Sequence, residues 1–559
     1  MKKILLCAAT GMMTLGTMAQ ETYESAQLMT EDLNGTARYV GMGGAMEALG
    51  ADISTISSNP AGIGLMRRSW IGFSAGATIQ KGDEVNILGV SYDKSGVTNA
   101  DLNQIGFVYA NQTGRNSSLN FAFNYHKNSN FNQIMTAVNS LNDASLNKMS
   151  YMRVASLKPG KGWPLVDTRW EGAALTDALN YEVLNDALSG FDEDDGFYYD
   201  GYSASNAYAM QTENSGYISN FDFCFSGNIN NRTFLGITFG LKDVRYRSYS
   251  MYDETLVDVN DVYRGDYLYD SERKITGSGF DIKIGAIFRP IAESPFRVGL
   301  YINTPTWYTL RCSGVMGAKA VLNDLPQHKK TAYDFSYDYK ISTPWKFGAS
   351  LGTTFGSNFA IGATYEYADY GATKNLICEG NVIDYGYDYW GYYENYYTAS
   401  SSDRQMDRNT EQVLKGTHLV KVGMEFKPVS DVAIRLGYNF RSAMYNKNGH
   451  KDFEIDANPS YGSVGSHYST YDYTNWDATH RVTFGLGFKL AEKLNLDLSY
   501  QYATQKGTYH PFQDINDLDI YATDLLGNNG IDETTSIYGN PSTVKNNRHQ
   551  INATLSYRF

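Results

Sequence analysis

Over much of the chain, apolar and polar residues alternate with a period of two. In Leu494–Tyr502 (LNLDLSYQY) every second position is apolar or aromatic, and Asn495, Asp497, Ser499 and Gln501 lie between. Val432–Phe440 and Ile551–Phe559 repeat the pattern. It belongs to a strand with one apolar face. About fourteen such strands are expected, near residues 70–80, 102–110, 118–127, 217–228, 232–243, 276–289, 295–311, 332–355, 357–370, 414–427, 431–443, 478–490, 493–505 and 546–559. Many reach the roughly nine to eleven residues that a tilted strand needs to cross a bilayer. A soluble sandwich also alternates, but with shorter strands, so length favours a transmembrane barrel.

The connections support that choice. Those at 111–117, 228–231, 290–294, 356, 428–430 and 491–492 are short, and those at 128–216, 244–275, 371–413, 444–477 and 506–545 are long. Short periplasmic turns alternating with long outer loops, and an even strand number, are barrel properties. They place both termini on the periplasmic side. Residues 84–92 also alternate, but counting them would make the number odd, so they are read as an extension of the first hairpin. In the 128–216 insert, Ala173–Leu188 has apolar residues at helical spacing, and a short helix over the outer mouth is expected.

Before the strands lies a different kind of sequence, Thr36–Met66 (TARYVGMGGAMEALGADISTISSNPAGIGLM). Its glycines permit close backbone approach, and Met42, Met46, Leu49, Ile53 and Ile56 recur at helical spacing. Asn59-Pro60-Ala61-Gly62 then ends any helix. Such a weakly apolar segment buries too little by itself and needs a cavity to fold into. The expected organisation is a signal peptide over 1–19, an N-terminal hatch or plug over 20–68, and an antiparallel barrel over 69–559. The signal has Lys2 and Lys3, an apolar stretch from Ile4 to Leu15, and Thr17-Met18-Ala19 as cleavage site.

Composition narrows the function. Mean hydropathy is −0.40, which excludes a bundle of membrane helices, while 45 Tyr and 53 Gly against 12 Pro suit many strands with aromatic girdles. Net charge is −13, or −15 without Lys2 and Lys3, so nucleic acid is not an expected partner. Cys224, Cys312 and Cys378 remain after the signal, an odd number that makes no complete disulfide set and fits no zinc spacing. No HExxH or GxSxG motif occurs. No enzyme, metal or cofactor is therefore expected. The acidic runs Asp192–Gly196 and Asp514–Asp519 do not fit the EF-hand register and read as solvated loops. With apolar residues facing lipid, the lumen would carry Asp222, Asp281, Lys283, Lys346, Glu366, Lys421, Glu425, Arg435, Asp497 and Arg558. Lys421 and Arg435 are candidates to hold a ligand carboxylate, and the competing reading is an ion network fixing wall to plug. The tyrosine-rich stretch 385–397 and the region holding Trp163 and Trp170 are candidate outer contact surfaces.

The glycines followed by Ser58-Asn59-Pro60-Ala61-Gly62 and the strand from Trp70 resemble the hatch and first strand of the FadL family of outer-membrane transporters for long-chain fatty acids and other hydrophobic compounds. Thr343-Pro344-Trp345, Ala363–Asp369 and Leu555–Phe559 are similar to that family as well. The resemblance implies a monomeric channel for passive uptake of a hydrophobic small molecule, surrounded by outer-membrane lipid and lipopolysaccharide. Because a greasy ligand gains only where water is excluded, Met42, Met46, Leu49 and Ile53 of the plug are expected to line its pocket. Asn59, Pro60, Ala61 and Gly62 would gate the route by locking the plug against the first strands. The resemblance puts a wall gap that would release the ligand sideways near Asn120–His126. The aromatic Phe559 would be read by the barrel assembly machinery. Two alternatives remain: an accessory barrel of type IX protein export, whose members resemble the same family and share its glycine-rich front end, and a haem-binding surface receptor, to which the tyrosine-rich stretch and the scattered histidines point.

Overall fold

The structure is a computed structural model that describes residues 21–80, 85–87, 90–92, 96–155, 175–188, 190–192, 197–199, 201–258, 260–291, 293–323, 329–388, 391–451, 468–524 and 529–559. Fourteen antiparallel strands form a closed wall. They are β1 (Trp70–Gln80), β2 (Val97–Gly114), β3 (Ser117–Asn130, resuming at Gln133–Ala144), β4 (Ala204–Ile229), β5 (Thr233–Val257), β6 (Tyr263–Phe288) and β7 (Arg297–Asn303 and Trp307–Leu322). The second half comprises β8 (Lys329–Ser342 and Lys346–Phe355), β9 (Phe359–Asp369), β10 (Gly416–Val429), β11 (Val432–Arg441), β12 (Tyr473–Lys489), β13 (Leu494–His510) and β14 (Ser542–Arg558). Each pairs with its neighbours, and β1 closes the ring on β14 from Trp70–Arg558 to Gln80–Arg548. This is the all-β, plugged barrel expected from the alternation. The segment excluded from the count is a separate hairpin of Val85–Ile87 with Val90–Tyr92.

Burial along the strands decides the solvent. Ile71 and Phe73 on β1, Leu235 on β5, Phe347 and Leu351 on β8, and Leu498 on β13 all face outward and are exposed. Asn120, Asp222, Asp281, Glu425, Arg435 and Asn552 face inward and are buried. An apolar band on the outside and charge on the inside is the inverse of a water-soluble fold, and only lipid around the wall satisfies it. No described helix is long and apolar enough to cross a membrane, so the strands make the crossing.

The wall is uneven in height. β4, β5 and β6 rise well beyond β1, which has 11 residues against 26 in β4. Pairing of β2 with β3 runs from Gly114–Ser117 only to Gln104–His126. Beyond it, the resumed segment of β3 stays on β4 and passes over β1 and β2 toward β14, where Asn139 donates to the Pro541 carbonyl (3.0 Å). Gln80 bonds both the N–H and the C=O of Ile134 at 2.9 Å, replacing a missing strand partner.

The long-connection end is capped. Two helices, Leu146–Ala155 and Leu175–Asn180, belong to the 128–216 insert, and the second continues through a π turn, Tyr181–Asn185, to Leu188. This is the expected helix over the mouth, and Leu179, Val183 and Leu184 pack into the core of the upper lumen. Trp163, Trp170 and residues 193–196 lie outside the described residues, as do the side chains of 385–397. The signal segment does too.

Candidate functional site

The lumen is filled by the N-terminal segment, which descends from the long-connection end to the short-turn end. At the top, α1 (Thr22–Met29) is capped by the Glu21 carboxylate, which accepts from the Tyr23 and Glu24 N–H groups. Thr22 bonds Asn409 (2.7 Å) and Thr410 (3.0 Å) on the outer helix Arg404–Val413. Tyr23 lies between the rings of Tyr445 and Tyr473 and donates to Asn475 at 2.8 Å. Thr22 is therefore at the long-connection end, whereas Phe559 bonds the Ser69 carbonyl at the short-turn end. The segment ahead of the plug therefore lies inside the lumen, between these two ends.

Further down, four charges of the segment meet their opposites on the wall. Glu24 pairs with Arg273, Glu31 with Lys346 (2.8 Å) and Lys242 (3.6 Å), Arg38 with Glu425 (3.1 Å), and Glu47 with Lys421 (2.7 Å). Arg435 also grips Glu425 (2.7 Å) and Asp497 (2.6 Å). The structure thus assigns Lys421 and Arg435 to the plug–wall network. Buried charges without such partners would cost several kcal/mol each.

Between these pairs the backbone itself touches the wall, through inward-facing glycines. A Cβ on Gly423 would overlap the Met42 carbonyl, one on Gly437 would overlap Gly43, and one on Gly41 would lie 2.9 Å from Gly485. Thr483 and Asn439 bond the carbonyls of Gly41 and Gly43 at 3.2 Å. The strand pattern does contain the signal, since an isolated glycine inside a strand marks close backbone approach, but the glycine count alone does not reveal it.

Asn59 caps the turn Pro60–Leu65, accepting from Ala61 N–H (3.2 Å), and donates to the Glu47 carbonyl (3.3 Å). Pro60 presses on Gly236 of β5, and Asn59 on Gly285 of β6, so this corner is set against β5 and β6 rather than the first strands. Met42, Met46 and Leu49 pack with Leu33 and Tyr39, and Ile53 joins a second group with Ile56, Ile63 and Trp70. These four residues fill two small cores.

The open space lies above them. A cavity of about 240 Å³ is bordered by Tyr23, Phe131, Met444, Trp476, Arg441 and Arg481, among others. Arg441, Arg481 and Arg548 converge there, with Asp32 3.9 Å from Arg481 and 3.8 Å from Arg548 and with Glu31 and Asp477 also on the lining. The wall beside it is the stretch where β2 and β3 part. Asn120–His126 is paired on both sides, to β2 and to β4. The separation starts one step further on, where the Asp101 carboxylate spans to Lys127 and to Asn130 (2.8 Å). Among the described residues, no cluster of His, Cys, Asp and Glu is placed to hold a metal, and the three cysteines are buried and unpaired.

No family model matches the chain, and no curated protein matches it. Solved channels resemble it in fold. They include the CymD monoaromatic hydrocarbon channel and a Pseudomonas aeruginosa FadL homologue, each with 10% identity, 95% of this chain and 99% of the other covered, and TM-score 0.43. The Pseudomonas putida toluene transporter TodX has 10% identity, 94% and 98% coverage, and TM-score 0.40. The barrel assignment rests on the strand pairing and burial above.

Proposed function

We propose that this protein is a plugged outer-membrane channel that passes hydrophobic or amphipathic small molecules inward without energy coupling. One observation carries the reading: the lower lumen is sealed by side chain and backbone contacts, while the upper lumen keeps an aromatic cavity beside the separation of β2 from β3. A greasy molecule gains little from a wet, charged pore, because burial is worth about 25 cal/mol per Å² only where water is excluded. It gains from resting among Tyr23, Phe131 and Trp476 and leaving sideways into lipid. Arg441, which makes no hydrogen bond or ion pair within the described residues, is placed to hold an anionic headgroup. The plug gates the route, with Asn59 and Pro60 holding its lower corner.

The test joins Asp101→Cys to Asn130→Cys across the separation. Uptake of a fluorescent fatty acid into vesicles should stop on oxidation and return on reduction, with low conductance throughout. Uptake indifferent to the cross-link, or a large steady conductance from the intact protein, would refute the lateral route.

A further inference from the structure

The outer face of β9–β14 repeats one arrangement three times. On each odd strand stand two outward aromatics two residues apart: Tyr365 and Tyr367, Tyr438 and Phe440, Tyr500 and Tyr502. On each following strand a histidine lies opposite the second aromatic: His418, His480 and His549. The first tyrosine of each set bonds the histidine Nδ1 at 2.8 Å. The three distances and registers match.

With the hydroxyl donating to Nδ1, each imidazole carries its proton on Nε2, and within the described residues none of the three Nε2 atoms has a partner. All three stand at one level. Toward the short-turn end come only outward apolar residues, such as Val420 and Met424, Val482 and Phe484, or Ile551 and Leu555. The histidines therefore mark the border of the apolar band on the long-connection side, which faces outward in bacterial barrels.

At the third set the surroundings are more elaborate. Below His549 and Asn547 an open groove runs down the outer wall between Leu436, Val482, Phe484 and Tyr500. Above it, Lys506 and Lys545 are exposed and directly opposite one another across β13 and β14. Neither makes an ion pair within the described residues. Like charges placed opposite on adjacent strands destabilise a sheet, and an anion between them reverses the sign.

We propose that this face is a binding site for a phosphorylated lipid of the outer leaflet. Its acyl chain lies in the groove, its linkage oxygens accept from His549 Nε2, and its phosphate lies between Lys506 and Lys545. The order from apolar groove to neutral donor to cation pair follows a lipid from tail to headgroup. The four residues separating Tyr502 from Lys506 span about 13 Å, a gap that long lysine stems shorten by reaching back. His418 and His480 offer the same neutral donor to neighbouring lipids.

Native mass spectrometry of the detergent-solubilised barrel, with added phosphorylated lipid A or its dephosphorylated form, tests the assignment. The wild type should retain the phosphorylated lipid about tenfold better, as charge-assisted contacts predict. Lys506→Glu with Lys545→Glu should abolish that preference, and His549→Phe should weaken retention of both lipids. These residues are on the outer surface, and the heat-modified mobility of the barrel reports that each variant is folded. Equal retention of the two lipids by the wild type, or a preference surviving the lysine reversal, would overturn the proposal.

Discussion

The two halves of the lumen are built on opposite plans. Toward the short-turn end, glycines on the wall meet glycines and carbonyls of the plug, and buried charges are paired between the two, as in Glu47 with Lys421 and Arg38 with Glu425. Toward the long-connection end the lining is aromatic, with Tyr208, Tyr267, Tyr471 and Tyr509 fully buried, and space remains around Arg441 and Arg481. Small residues bring backbones together and leave no gap, whereas rings span wide distances and pack with gaps at their edges. One half is a seal and the other a chamber. If so, damage to the lower half should cost stability and open the pore, and damage to the upper half should change only local order and ligand retention.

The largest expected effect is Glu47→Ala. It leaves Lys421 buried beside Tyr39 without its hydrogen-bonded carboxylate, only the more distant Glu366 remaining, and breaking such a pair costs about 3–5 kcal/mol. Thermal unfolding of the detergent-solubilised barrel measures it. Glu47→Leu combined with Lys421→Met should recover most of the loss, since the cost is that of an orphaned charge. If the single variant melts like the wild type, the lower network is ornamental and the contrast fails.

Next comes a pH effect confined to the upper half. Burial pushes the Glu21 carboxyl up to about 7 from the ordinary 4.5, aided by the neighbouring Glu24 and opposed by Lys451 and the N–H groups of Tyr23 and Glu24. A raised value means that the docked helix holds a proton the undocked chain has released. The stabilisation is complete below about 4.5 and is lost as pH rises through about 7, worth about 3 kcal/mol in full. Melting of the wild type minus that of Glu21→Gln, followed from pH 5 to 8, should fall with pH. A flat difference would show that Glu21 titrates normally and that α1 is held by Thr22 and Tyr23 alone.

Much of this architecture was legible in the sequence, because a lipid-facing wall writes itself as period two: all fourteen strand segments in the structure coincide with alternating runs. The breaks at Thr304–Thr306 in β7 and Thr343–Trp345 in β8 were not legible, since apolar spacing says nothing of local pairing. Nor was the separation of β2 from β3, which depends on Gln80 and Asp101 reaching across. Alternation turns Lys421 and Arg435 toward the lumen, where they are buried, but it does not give their partners Glu47 and Asp497, which lie far away in sequence. Only the Glu47 side gave a clue, a lone carboxylate amid Met46, Ala48 and Leu49. The repeated Tyr–His sets also required strand register, because each set combines residues tens of positions apart.

A second test of the seal is Gly423→Ala. The added methyl would overlap the Met42 carbonyl, so the plug backbone must retreat from β10. Overpacking of this kind costs about 1–3 kcal/mol. Planar-bilayer recording should show frequent brief openings absent from the wild type. Ser442→Ala, on the rim of the upper cavity, should leave the baseline quiet.

The smallest effect separates locking from mere packing at the plug corner. Asn59 is fully buried and its amide makes three hydrogen bonds, donating to the Glu47 and Ala286 carbonyls and accepting from Ala61 N–H, while Pro60 sets the backbone angle of the turn that Asn59 caps. Asn59→Ala removes all three and leaves the Ala61 N–H to find another acceptor, at about 1 kcal/mol for a lost cap and a little more for the orphaned group. Adding Pro60→Ala widens the choice of backbone angles in the freed chain without removing a contact to β5, so the pair should exceed the single change only slightly. Because the turn presses on Gly236 and Gly285, its release should loosen the lower seal and leave α1 docked. Conductance should therefore rise in the double variant while the pH dependence assigned to Glu21 stays as in the wild type. A change in that pH dependence instead would mean that corner and helix move as one body, and the division of the lumen into seal and chamber would be wrong.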